Sequence, residues 1–216
     1  MIRIQSIASM VKQGMILADI GTDHAFLPIM LIKQGISPKA YACDITKGPL
    51  SIAKTNIARE NLEDRIIPVC SDGFEHVPQD AQCAVIAGMG CDTIISILER
   101  GMDHIMKMEQ IIVEANNDPE KMRRWISDHG LTIEDERVVH ERRHDYVIIS
   151  FNTAKHAPYS EEDVILGPVL KERNEQAFQD YCTHQVEKLT MILSHRQDEQ
   201  LLKRRQYFAK YANREM

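Results

Sequence analysis

Four groups of small and acidic residues punctuate the first half of the chain, each following a short apolar run: Asp19-Ile20-Gly21-Thr22-Asp23-His24, Asp44, Ser71-Asp72-Gly73-Phe74 and Ala87-Gly88-Met89-Gly90-Cys91. A glycine placed directly after an apolar strand lets a ligand approach the backbone. Dinucleotide-binding chains carry GxGxxG there to cradle a pyrophosphate, whereas Gly21 stands alone, so a pyrophosphate cradle is poorly supported. One glycine flanked by Asp19 and Asp23 suits a cationic, phosphate-free cofactor such as S-adenosylmethionine, whose amino acid moiety needs a carboxylate partner. Asp44, further along, is placed to accept both ribose hydroxyls of a nucleoside. Asp72 and Gly73 could bracket an adenine ring, and Ala87, Gly88, Met89 and Gly90 stand at the mouth of the sheet, the default ligand crevice of such folds. Each group has an ordinary alternative: Asp23 can cap a helix starting near Ala25, and an aspartate at a strand end is common. Four consecutive strand ends carrying Asp or Gly jointly favour the cofactor reading.

The elements that must position these residues follow from the apolar pattern. Short β-branched runs at Met15–Asp19, Ala40–Asp44, Ile66–Cys70, Cys83–Ala87 and Gln110–Glu114 alternate with helical stretches at Ala25–Gln34, Pro49–Asn61, Thr93–Gly101 and Pro119–His129. That alternation predicts a parallel sheet covered by helices on both faces. The last of these helices opens Asn117-Asp118-Pro119-Glu120, with Asp118 as cap and Pro119 at the first helical position. After Gly130 the runs Leu131–Val139 and Asp145–Asn152 are joined by five residues only, so they must pair antiparallel. A parallel sheet ending in an antiparallel pair is the arrangement of class I methyltransferases; the dehydrogenase type keeps its last strand parallel.

Residues 153–160 read as a linker, dividing a ligand-binding domain at 1–154 from a helical domain at 155–216. Past Gly167-Pro168 no glycine or proline occurs, and apolar residues recur at helical spacing from Val169 to Tyr211. One helix of that length would run roughly 70 Å, too long to stand alone. A fold-back near Ser194–Asp198 is expected, giving a helical hairpin or coiled coil. Phe178, Tyr181, Tyr207 and Phe208 are read as its packing, and Trp125 as core.

The chain of 216 residues carries a net charge of −6, which excludes a global basic field for nucleic acid. No apolar run approaches the roughly 20 residues of a membrane span, and the N-terminus lacks the charged and apolar regions of a signal peptide, so a cytoplasmic protein is expected. Five cysteines without CxxC spacing indicate neither a zinc site nor a disulfide framework, and no metal is expected.

The strings Asp19-Ile20-Gly21-Thr22-Asp23-His24-Ala25-Phe26-Leu27-Pro28, Ala87-Gly88-Met89-Gly90, Asn116-Asn117 and Leu166-Gly167-Pro168 resemble the bacterial tRNA (adenine-N1)-methyltransferases that modify adenine 22, the TrmK family. The resemblance covers nearly the whole chain. It implies a Rossmann-like class I methyltransferase domain, a C-terminal coiled coil, and methyl transfer from S-adenosylmethionine to adenine N1 of tRNA. The chain departs from the family pattern at Phe26 (usually Tyr), Cys91 (usually Gly) and Glu114-Ala115 (usually Gln-Pro). The resemblance implies that the segments after strands four and five, where the last two departures fall, face the target base. Another RNA site, a small molecule, or a catalytically silent RNA-binding scaffold are the alternative readings.

Adenine N1 has an in-plane lone pair and no proton at neutral pH, so it attacks a methyl group without an obligatory base. The protein must supply proximity, in-line alignment and tolerance of developing positive charge. Since N1 lies on the Watson–Crick edge, the base must first be unpaired or extruded. Asn116 is the expected contact to the base edge, and Asp23 or His24 would orient the base or the methionine moiety. With the resemblance as warrant, Arg142-Arg143 at the hairpin tip and Lys203-Arg204-Arg205 on the tail, with Arg196, Lys210 and Arg214 nearby, are the expected phosphate contacts. A solvated helix face is the ordinary meaning of such a run. A monomer or weak homodimer is expected.

Overall fold

The computed structural model describes residues 2–213; Arg214 lies outside the described residues. A seven-stranded sheet forms its centre, in the order β3-β2-β1-β4-β5-β7-β6. The strands are β1 (Leu17–Ile20), β2 (Ala40–Asp44), β3 (Ile66–Cys70), β4 (Cys83–Met89), β5 (Gln110–Ala115), β6 (Thr132–Glu141) and β7 (His144–Asn152). The first five are mutually parallel. As expected, β7 runs antiparallel to both β5 and β6. Every residue of β1 and β5 is buried, the result of covering both faces with helices.

Three crossover helices lie where the periodicity places them: α2 (Phe26–Lys33), α3 (Lys47–Arg59) and α4 (Cys91–Arg100), with the short α5 (Met102–Ile105) before β5. Next comes α6 (Pro119–Asp128), capped as predicted by Asp118, whose carboxylate accepts the Lys121 N–H. The sheet order reverses between β1 and β4, so the crossovers on either side diverge and leave a crevice at the carboxyl ends of those strands.

An N-terminal helix, α1 (Ile2–Met10), went unpredicted; it packs on α2, β6 and β7. The tail is a chain of four helices: α7 (Glu161–Leu166), α8 (Pro168–Arg173), α9 (Gln176–Leu193) and α10 (Glu199–Ala209). Asn174, with φ of 46°, ends α8 in the left-handed conformation that asparagine tolerates. The fold-back falls at 194–198, where Asp198 accepts the N–H groups of Gln200 and Leu201 to start α10.

Phe178, Tyr181, Cys182, Leu189 and Phe208 of this hairpin belong to the same buried cluster as Ile86, Ile111, Trp125 and Phe151 of the sheet layer. A fully buried ion pair sits beneath α7: Arg123 Nε donates to Glu136 Oε1 at 2.6 Å, and its Nη1 to the Val164 and Ile165 carbonyls. Glu136 in turn accepts the Val169 N–H. No described helix is long and apolar enough to cross a membrane.

Candidate active site

Between β1 and α2 the chain makes a tight turn with three left-handed residues in five positions: Gly21 at φ 80°, Asp23 at 49° and Ala25 at 59°. The turn is tied down by Gly21 and Thr22, whose N–H groups both donate to the Cys43 carbonyl, and by Asn56, which donates to the His24 carbonyl. Ala25 itself occupies the cap position of α2 with no side-chain cap. Asp23 therefore does not cap the helix; it is exposed and pairs with His24 Nε2 at 3.2 Å.

This turn walls a cleft of about 470 Å³ lined by Arg3, Asp19, Gly21, Thr22, Asp23, His24, Phe26, Asp44, Ala87, Gly88 and Met89, with Ile4, Ile7 and Leu27. Eight residues singled out in the sequence are thus brought together: Asp19, Gly21, Asp23, His24, Asp44, Ala87, Gly88 and Met89. Asp19 is 7% exposed and accepts the Thr22 hydroxyl at 2.6 Å. Burial raises its carboxyl to about 6; the Thr22 hydrogen bond opposes this and the Asp44 charge adds to it. A Cβ on Gly21 would stand 2.2 Å from Met89 Cε, so this position gives backbone access that a side chain would remove. Asp44 holds its loop through the Thr46 N–H and hydroxyl.

Three expected members of the set lie elsewhere. Asp72 forms a two-pronged pair with Arg100, at 2.6 and 3.0 Å, and Gly73 packs on Ile97. Gly90 is the residue preceding α4. Neither Arg3 nor Thr22 was anticipated as lining, and Arg3 comes from a helix the periodicity did not reveal.

The departures from the family pattern have local explanations. Phe26 is 54% exposed at the cleft rim, its ring 5.2 Å from that of His24. Cys91 is buried as the first residue of α4 and donates its N–H to Asn117 Oδ1. Glu114 is fully buried; its Oε2 accepts the Gly88 N–H at 3.0 Å and pairs with Arg3 at 3.1 Å. Burial pushes its carboxyl above the usual range, with Arg3 and the Gly88 N–H pulling the other way.

A bulge between Ala87 and Met89, with Gly88 at φ 76°, makes the partition between this cleft and a second one. Asn116 closes it: its Nδ2 donates to the Gly88 carbonyl at 2.8 Å and its N–H to the Met89 carbonyl. The second cleft, about 490 Å³, is lined by Ala115, Asn116, Asn117, Asp118, Arg143, His144, Asp145, Tyr181, His184, Lys188 and Arg204 among others.

Asn116 and Arg143 thus line the same cleft, while Arg142 sits at the hairpin turn with φ 63°. Lys203 pairs with Glu161, Arg204 with Glu120 and Lys210 with Glu162, and Arg205 donates to the Thr190 hydroxyl. Arg196 pairs with Asp198. Acidic residues of α6 and α7 thus occupy much of the tail's basic face. Tyr146 is half-buried beneath the Arg3 guanidinium, 4.7 Å from its ring centre.

Comparison with known proteins follows the same lines. The family model for tRNA (adenine(22)-N(1))-methyltransferase matches residues 17–215. The Bacillus subtilis protein of that name is 31% identical over 179 residues, spanning 80% of this chain and 75% of that protein. A crystal structure from Streptococcus pneumoniae, in complex with S-adenosyl-L-methionine, superposes with a TM-score of 0.90 at 31% identity, covering 99% of each chain. The Mycoplasma capricolum structure with the cofactor product S-adenosyl-homocysteine gives 0.85 at 28% identity, covering 98% of this chain and 96% of that one.

Proposed function

The chain belongs to the tRNA (adenine(22)-N(1))-methyltransferase family, and from that premise we propose that its two clefts divide cofactor from substrate. It is an S-adenosylmethionine-dependent methyltransferase acting on N1 of adenine in tRNA. The observation that carries the reading is the acidic, glycine-floored cleft at the switch point of the sheet, where Asp19, Gly21, Asp44, Gly88 and Met89 converge. Relatives of the same fold are complexes with that cofactor or its product.

The residues present fit such a cofactor. The uncovered Gly21 backbone admits close approach, and two carboxylates, Asp19 and Asp44, favour a ligand bearing positive charge. Asp44 is assigned to the ribose hydroxyls; Asp19, Asp23 and His24 are assigned to the amino acid end. When bound, the cofactor supplies an electrophilic methyl group. Asn116, on the partition, is assigned to the adenine edge, where it aligns N1 without removing a proton. Loss of the base's pairing exposes N1, and holding it in line supplies the proximity on which the reaction depends. Arg143, with Lys188 in the same cleft, is assigned to tRNA phosphates, with Arg142 beside it. The tail residues Lys203, Arg204 and Arg205 would engage RNA only by exchanging their present partners. The working form is a cytoplasmic monomer or weak homodimer.

The test is transfer of labelled methyl from S-adenosylmethionine to unmodified tRNA, with the product nucleoside identified and its position mapped. The expected product is 1-methyladenosine at position 22, lost in Asp19→Ala. A different methylated nucleoside, or transfer indifferent to Asp19, would overturn the assignment.

A further inference from the structure

Three side chains from three elements converge beside the second cleft, which two of them line. His140 lies near the end of β6, Asp145 at the start of β7 across the turn, and His184 on α9. The Asp145 carboxylate is shared between them: His140 Nδ1 is 2.7 Å from Oδ1, and His184 Nδ1 is 2.8 Å from Oδ2. The two rings are 5.6 Å apart at an angle of 51°. One donor atom from each residue lies within 4.8 Å of the other two. Both imidazoles are half-exposed, whereas the Asp145 side chain is 13% exposed.

We propose that His140, Asp145 and His184 form a binding site for a divalent transition metal ion of the zinc type, fastening α9 to the β6–β7 hairpin. Two imidazoles and one carboxylate, with water in the fourth position, make a donor set that zinc accepts, whereas calcium and magnesium favour all-oxygen sets. Zinc with ligands at about 2.0–2.1 Å holds tetrahedral donors about 3.3 Å apart. Each histidine Nδ1 is already within that span of one carboxylate oxygen, though not of the same one, and rotation of the half-exposed rings and of the carboxylate closes the remaining separations. Each neutral imidazole moves its proton to Nε2 and offers Nδ1 to the ion, so no buried group loses a partner. Since Asp145 and His184 line the cleft, the ion has an entry path.

The full chain, stripped with a chelator, is titrated with Zn²⁺ by calorimetry and with Co²⁺ by visible absorption. One equivalent should bind, raise the melting temperature, and give the d–d bands of a four-coordinate cobalt site. Because second-shell partners alone are worth about 10–100-fold in metal affinity, His140→Gln, His184→Gln and Asp145→Asn should each weaken binding by at least that factor. His195→Gln, in the α9–α10 turn, should not. A readout free of substitution is the wild-type imidazole NMR spectrum, in which Zn²⁺ should shift the His140 and His184 resonances selectively. Absence of saturable binding, binding that survives the double substitution of both histidines, or shifts confined to other histidines would overturn the site.

Discussion

Replacing Asp19 by asparagine should make the protein more stable and less able to bind its cofactor. The carboxyl is buried and its pKa is raised from 3.8 to about 6. At about 1.4 kcal/mol per tenfold change in acidity, holding it ionised at pH 7 costs about 3 kcal/mol. The asparagine side chain would keep an oxygen for the Thr22 hydroxyl while removing the charge. Its new amide hydrogens, if left without acceptors, would take back about 1–3 kcal/mol, so the net gain lies between about zero and 3 kcal/mol.

The pH dependence is sharper than the net value. A raised folded-state pKa means the native chain binds more protons than the unfolded chain between about pH 4 and 6, so wild type loses stability as pH rises through that window. Below it, where the carboxyl is protonated in both states, the full stability is present. Urea denaturation of wild type and Asp19→Asn without cofactor, at pH 4 to 7.5, should therefore show a stability difference that shifts towards the variant by about 2.4 kcal/mol across the series. A pH-independent difference, or one that shifts towards wild type, would refute the reasoning. Calorimetric titration with S-adenosylmethionine at pH 7.5 should show the opposite preference, with the variant binding at least roughly tenfold more weakly, equivalent to about 1.4 kcal/mol.

Gly21→Ala combines a left-handed backbone with a Cβ 2.2 Å from Met89 Cε. The cost should be about 1–3 kcal/mol by urea denaturation, and Met89→Ala in the same chain should recover only the steric part. Arg123→Met leaves Glu136 buried and unpaired, so a loss of about 3–5 kcal/mol is expected; adding Glu136→Met should restore much of it, and equal losses in the single and double variants would contradict this account. Arg143→Ala should weaken tRNA binding and lower the slope of log affinity against log salt by about 1, leaving calorimetric cofactor affinity unchanged.

Much of this architecture is legible in the sequence because its strands are buried on both faces and therefore read as continuous apolar runs between turn residues. The antiparallel pair followed from a join too short for a crossover, and the tail's fold-back from the need of a long helix for company. Local signals failed where partners are distant. Nothing in residues 2–10 announces a helix whose Arg3 neutralises Glu114, and nothing around Asp72 shows that Arg100, one crossover later, claims it. The basic tail reads as available until the acids of α6 and α7 are folded against it. Asp23 looks like a cap because it lies just before the helix, but the turn carries the cap position on to Ala25 and leaves Asp23 two residues short of it.

Arg3, Glu114, Gly88 and Asn116 form one continuous chain of contacts across the partition, and this constrains how the sequence can drift. A glutamine at 114, as in the family pattern, still offers an oxygen to the Gly88 N–H but no counter-charge to Arg3. A glutamate there requires a cation on the first helix, since a lone buried carboxylate would be costly. Positions 3 and 114 are thus expected to change in concert: glutamine at 114 frees position 3 to become neutral, while glutamate binds it to arginine or lysine. A swap at either position alone would loosen the partition between the two clefts.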